Sequence, residues 1–126
     1  MTQEEKDLLL QDLSARLPYG VILNCCNTIG EKLTCIDENG LINHDYDINE
    51  CKPYLFPLSS MTEEQKENLD KVIQEDSKEA IEAIRNNDKM FHAPWRAIDW
   101  LNANHFDYRG LIEKGLAIDA TNKGIY

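Results

Sequence analysis

Between Ala97 and Asp119 the chain crowds a tryptophan, a phenylalanine, a tyrosine, a histidine, an arginine, several aspartates and two glycines into one short stretch. So many rings and ionisable groups can be satisfied together only at a place where the chain turns on itself. The spacing predicts two helical pieces meeting at a corner. Pro94 suits a first helical turn, where its missing N–H is not needed, and Trp95, Ile98 and Leu101 recur at helical spacing. This helix is expected to end near Asn104, which tolerates left-handed backbone. Asp107 then stands ready to cap a shorter helix from Tyr108 that Gly115 closes. Leu116-Ala117-Ile118 is apolar enough to return to the core in extended form.

The same residues admit a chemical reading. His105 with Asp107 is a base beside an orienting carboxylate, and Tyr108 and Arg109 add a phenol and an anion-binding guanidinium, which together would make a small hydrolase-like enzyme. The structural reading gives each of them a place in the packing, in which Asp107 caps, Phe106 fills the corner, Arg109 pairs with a carboxylate and His105 lies beside an indole. A third reading makes Trp95, Trp100, His105, Phe106, Asp107, Tyr108 and Arg109 a binding surface, because Trp, Tyr and Arg anchor interfaces more often than other residues.

Charge narrows the classes. Asp and Glu number 23 against 13 Lys and Arg, a formal net charge of −10. That balance argues against nucleic acid and against anionic membrane surfaces, both of which need clustered cations. It leaves open an acidic face that mimics DNA and occupies a basic protein. The N-terminus carries Gln3, Glu4, Glu5 and Asp7 where an export signal has basic residues, and no apolar run is long enough to span a bilayer, so a cytoplasmic location is expected. The four cysteines, Cys25, Cys26, Cys35 and Cys51, are then expected as free thiols, although Cys25 or Cys26 could face Cys35 across a hairpin and oxidise.

Taken in order, the chain reads as a single α+β domain over 1–126, with a helix in 1–18, a β-rich part in 19–58 and a helical part in 59–126. Thr2 and Glu5 form a capping-box pattern, Leu9, Leu10, Leu13 and Leu17 supply an apolar face, and Pro18 with Gly20 stops the helix. Val21–Asn27 predicts a strand, Thr28-Ile29-Gly30 a turn, and Glu31–Asp37 a second strand. Asn39-Gly40 is a strong type I′ hairpin signal and leads to a third strand running toward Tyr46. Residues 47–58, punctuated by Pro53 and Pro57, suit an edge strand. The result is a small antiparallel sheet or a partly closed barrel of three to five short strands. Thr62 with Gln65 repeats the capping grammar and opens a helix, or two with a bend, over 62–87. Its stripe is Leu69, Val72, Ile73, Ala80, Ile81 and Ile84, and it stops at Asn86-Asn87-Asp88.

Motif tests return little. An EF-hand count from Asp45 fails, because Glu50 stands where the loop needs glycine and Phe56 where it needs the closing carboxylate. His44, Asp45 and Asp47 could form a looser metal site if alternate strand positions place the two aspartates on one face. No zinc pattern, nucleophile elbow or phosphate loop is found, and no cofactor is expected.

Three segments carry a resemblance: Ala15 to Val21 (ARLPYGV), Lys52 to Thr62 (KPYLFPLSSMT), and Trp100 to Asn102 continuing through His105 to Ile112 (HFDYRGLI). In these segments the chain resembles a group of small proteins common in gut Bacteroidetes genomes, often near phage-like or mobile elements. The resemblance implies an accessory protein of a mobile element, and it brings no activity and no catalytic residue. The reading that joins these observations is a non-enzymatic module that binds another protein or a second copy of itself.

Overall fold

The computed structural model describes residues 1–26, 28–85 and 95–126, and at residues 28, 29, 75–85 and 95 the backbone only. The helix stop expected at Asn86-Asn87-Asp88 and the helix start expected at Pro94 lie outside the described residues. The architecture is α+β. An N-terminal helix and two C-terminal helices surround a small sheet that is open rather than closed into a barrel.

Helix α1 spans Gln3–Arg16. Its start is the predicted capping box: Thr2 Oγ1 accepts the Glu5 amide at 3.1 Å, and the Glu5 carboxylate accepts the Thr2 amide at 2.9 Å. Those carboxylate bonds also hold the Glu5 pKa down. A 3-10 turn over Leu17–Tyr19 carries Pro18, and Gly20 reverses the chain at φ 67. The inward face is Leu9, Asp12, Leu13 and Arg16, while Leu10 and Leu17 are only partly buried. An aspartate and an arginine thus occupy half of a stripe at i, i+3, i+4, i+7, the spacing that normally marks apolar core.

Strand β1 (Ile22–Cys25) pairs antiparallel with β2 (Thr28–Lys32) and with β3 (Cys51–Pro57). Thr28, Ile29 and Gly30, expected as a turn, belong instead to β2, and the chain is already turning at Cys26. Gly30 is the extra residue of a bulge: Leu23 pairs with Glu31 and Asn24 with Ile29, leaving Gly30 unpaired at φ 89. A side chain there would strain the backbone.

The third strand expected from Leu41 does not form. Ile42 makes single bridges to Ile36 and to Tyr46, so the chain folds back twice within a few residues. Of Asn39-Gly40 only Gly40 has positive φ, at 78, which is the type I turn with a left-handed closing residue. Both positive φ values of a primed turn occur instead at Asn43 and His44, at 52 and 63. The Asn43 side chain then replaces a missing strand partner. Its Oδ1 accepts the amides of Thr34 at 2.8 Å and Cys35 at 3.3 Å, and its Nδ2 donates to Lys32 C=O at 2.9 Å.

Strand β3 is central, not an edge. On one side it pairs with β1, and it also takes two parallel neighbours from the C-terminal part, β4 (Phe106–Asp107) and β5 (Ile118–Asp119). The sheet is therefore mixed, because two of its strands arrive from the region that reads as helical. Pro53 is tolerated since it faces Leu23 in a pair whose N–H groups point away from β1, and β5 begins pairing only after it, at Tyr54. Where β1 and β3 would pair next, the Tyr126 hydroxyl inserts between them. It accepts the Ile22 amide at 2.9 Å and donates to Tyr54 C=O at 2.8 Å.

Helix α2 runs unbroken over Glu63–Arg85, capped by Thr62 and Gln65 as predicted, and packs chiefly on α3 (Trp95–Ala103). No helix among the described residues is long and apolar enough to cross a membrane. The core gathers Leu9, Leu13, Val21, Leu23, Cys25, Leu33, Ile42, Ile48, Cys51, Leu55, Leu111 and Leu116 between α1, the sheet and the C-terminal turns. Each such leucine contributes about 2 kcal/mol by leaving water.

Candidate functional site

The focal stretch folds around a buried ion cluster that begins on α1. Asp12 and Arg16 both have 0% of their side chains exposed, and Arg16 Nε donates to Asp12 Oδ2 at 2.8 Å. The other aspartate oxygen, Oδ1, takes Arg109 Nε at 3.1 Å. Arg16 Nη2 reaches across to Phe106 C=O at 2.6 Å. Two guanidinium groups thus converge on one carboxylate, and both also lie over the Tyr108 ring, at 5.3 and 4.8 Å from its centroid. The Tyr108 hydroxyl donates to Asn102 Oδ1 at 2.9 Å and accepts Arg109 Nη2 at 3.1 Å. A buried ion pair is stabilising only when its other hydrogen-bonding positions are filled, and here the Phe106 carbonyl of β4 and the Arg109 guanidinium fill one position on each partner.

Helix α3 ends at Ala103, and the left-handed residue after it is His105 at φ 62, not Asn104. The imidazole stacks on Tyr126 at 3.8 Å between centroids, and the His105 C=O accepts the Phe56 amide at 2.8 Å. Burial, aided by the Arg16 charge, pushes the imidazole pKa down to about 4. The ring is therefore neutral at pH 7. Its Nδ1 and Arg16 Nη1 are buried without a hydrogen-bond partner among the described residues. Burial also raises the Tyr126 phenol to about 12, its hydroxyl lying inside although the ring is partly exposed.

Asp107 does cap, but what it caps is not a helix. Its two oxygens accept the amides of Leu111 and Ile112, each at 3.0 Å. Gly115 closes the far end, with its own amide on Ile112 C=O and the Leu116 amide on Leu111 C=O, the paired bonds of a Schellman motif. Between these caps lie only turns, because Gly110 at φ 74 breaks the helix expected from Tyr108 and leaves too few residues to offset the cost of nucleation.

The sequence-predicted residues separate accordingly. Phe106 is buried, and Asp107 is nearly so, with both of its oxygens engaged by backbone amides. Trp100 is partly exposed and stacks on Phe106 at 5.8 Å, while the Trp95 side chain lies outside the described residues. Arg109 keeps 18% of its side chain exposed, and Tyr108 and His105 are partly exposed. His105 and Asp107 do not form a dyad, since both Asp107 oxygens hold backbone amides. His44, Asp45 and Asp47 do not converge either. Residues 43–45 form a turn rather than a strand, His44 points to solvent near Asp37, and Asp47 caps the 3-10 turn Ile48–Glu50. Among the described residues no group of three or more potential ligands could hold a metal ion. The thiol pairing also differs from expectation: Cys25 faces Cys51, not Cys35, and all four cysteines are free.

Reading the sequence missed Asp12, Arg16, Asn102 and Tyr126. A signal existed for the first pair, because positions 9, 12, 13 and 16 form one helical stripe and the charges stand at i, i+4. Beside the ion cluster a groove of about 360 Å³ opens between the end of β3 and the capped turn, lined by Pro57, Leu58, Ser59, Asp107, Tyr108, Gly110, Ile112 and Glu113. Leu58 is 46% exposed there. No family model, no curated protein and no solved structure matches this chain.

Proposed function

We propose that this protein is a non-enzymatic interaction module, an accessory protein that recognises another protein through the groove between Leu58 and Tyr108. The observation that carries the reading is a convergence. The segments 52–62 and 100–112, far apart in sequence, meet at this groove and supply Pro57, Leu58 and Ser59 on one side and Tyr108, Gly110 and Ile112 on the other. Tyr108 is held by Asn102 and two arginines, so its ring position is pre-organised. A rigid tyrosine beside an exposed leucine is the kind of surface that anchors an apolar side chain at little entropic cost. Glu113 at the rim, on a chain of net charge −10, favours a partner whose apolar residue is flanked by Lys or Arg.

The test is native mass spectrometry and affinity capture with the full chain and with Leu58→Glu. Leu58 is exposed enough that the substitution should change stability by less than about 0.5 kcal/mol. A second protein retained by the wild type and lost with Leu58→Glu supports the proposal. A partner retained equally by both chains, or a bare monomer in both, refutes it. Capture that survives Leu58→Glu but vanishes at high salt would favour the acidic decoy instead.

A further inference from the structure

We infer that Cys25 and Cys51 are a redox couple that closes into a cross-strand disulfide when the protein meets a low-molecular-weight disulfide. The two residues are directly opposite each other where β1 meets β3, both are wholly buried, and their sulfurs lie 3.0 Å apart. The next pair outward, Cys26 with Glu50, is joined by the Cys26 amide to Glu50 C=O at 3.0 Å. By the alternation of an antiparallel ladder, Cys25 and Cys51 therefore occupy a non-hydrogen-bonded pair. In such pairs the Cα atoms lie about 4.5 Å apart and the side chains are closest. That spacing falls within the roughly 4.4–6.8 Å that a disulfide spans, so the closed bond fits the strands in their paired positions.

The reaction balances with a disulfide RSSR as the oxidant. One cysteine, as thiolate, attacks RSSR, breaking its S–S bond; a protein–SR mixed disulfide forms and RS⁻ leaves. The second thiolate attacks the protein sulfur of that adduct, the Cys25–Cys51 bond forms, and the second RS⁻ departs. Two electrons pass from the cysteine pair to RSSR, and the two thiol protons end on two RSH. Burial raises both thiols, and because either sulfur can donate the hydrogen bond they share, either can make the first attack. Because both sulfurs are covered, the step requires β1 and β3 to part briefly. Closing the bond then locks a segment 26 residues long in sequence, which contains the whole double-hairpin region.

The test uses the full chain in two arms. In one it is held native in graded mixtures of reduced glutathione and glutathione disulfide; in the other it is refolded from denaturant in glutathione disulfide, so that access is not limiting. Alkylation, proteolysis and mass spectrometry then assign each thiol. The expected product in the refolded arm is lighter than the reduced chain by two hydrogens, joins the Cys25 and Cys51 peptides, leaves Cys26 and Cys35 open to alkylation and reverts with dithiothreitol. Its Tm should rise by about 10 °C, the size expected for closing a loop of this length, and Cys51→Ser should show neither change. The native arm should reach the same product more slowly. The inference is overturned if Cys25 and Cys51 stay open to alkylation after refolding, if glutathione remains on the exposed Cys26 alone, if the bond joins another pair, or if it forms without raising Tm.

Discussion

The ion cluster beneath Tyr108 and the double hairpin over residues 33–50 are both polar, yet opposite kinds of bond hold them. In the cluster, Arg16 reaches Phe106 across 90 residues and Arg109 reaches Asp12 across 97. In the hairpin region the Asn43 amide, Asp37 and Asp47 reach no more than 11 residues along the chain. The Asp12 and Arg16 side chains at the centre of the cluster are wholly buried, and the hairpin bonds lie largely at the surface. A buried charge that loses its partner keeps the full cost of desolvation, whereas an exposed turn that loses a side-chain bond finds water instead. The two regions should therefore fail very differently when cut.

The sharpest cut is Asp12→Ala, which leaves two guanidinium groups facing one another without their carboxylate. We expect a loss of about 4 kcal/mol in urea unfolding, the usual result of breaking a buried pair from one side. A loss below about 1 kcal/mol would mean that water reaches the cluster and would erase the contrast.

A smaller effect comes from His105 and needs no mutation. Its folded pKa of about 4 lies below the ordinary 6.5, so the unfolded chain takes up the proton first as pH falls. Above 6.5 both states are neutral and stability is whole. It should decline between pH 6.5 and 4 and then level off with respect to this group. Allowing for the ring's partial exposure, the loss should be about 2 kcal/mol. His105→Asn keeps a side chain that tolerates left-handed backbone and removes the titration. The difference between the two pH profiles isolates the effect, and parallel profiles would contradict it.

Asn43→Ala belongs to the hairpin and should cost less than the cut in the cluster, about 1.5 kcal/mol. It removes the side-chain bonds to Lys32, Thr34 and Cys35 and forces alanine into φ 52. Asn43→Gly keeps the backbone relaxed and should recover part of that loss. If the glycine variant is as unstable as the alanine one, the side-chain bonds rather than the backbone carry the turn.

Much of this molecule was legible because capping is local. Thr2 with Glu5 and Thr62 with Gln65 start the two long helices, Pro18 with Gly20 ends the first, and Asp107 and Gly115 bracket their turn, all from side chains and backbone within a few residues. The α+β class follows from the same grammar together with the apolar runs. Local signals misled wherever two competed over a short span. Asn39-Gly40 carries the stronger hairpin pattern, yet the primed turn settled at Asn43-His44, because β2 stops at Lys32, short of the expected Asp37, and Asn43 can also satisfy the amides of Thr34 and Cys35 beyond it.

Sequence alone determined where α1 starts and stops and where α2 starts, the presence of strands between 21 and 58, and the concentration of polar and aromatic groups at 95–109. Tertiary structure decided which strands the C-terminal segments join, that β3 is central despite its prolines, and that Cys51 rather than Cys35 is the partner of Cys25. It also decided that Asp12 and Arg16 turn inward. Their place on the stripe of Leu9 and Leu13 hints at burial, but only Arg109, Tyr108 and the Phe106 carbonyl, brought from the far end of the chain, make that burial tolerable. The reason is physical: caps and turns are satisfied within one or two turns of backbone, whereas a buried charge is satisfied by groups whose distance along the chain carries no signal.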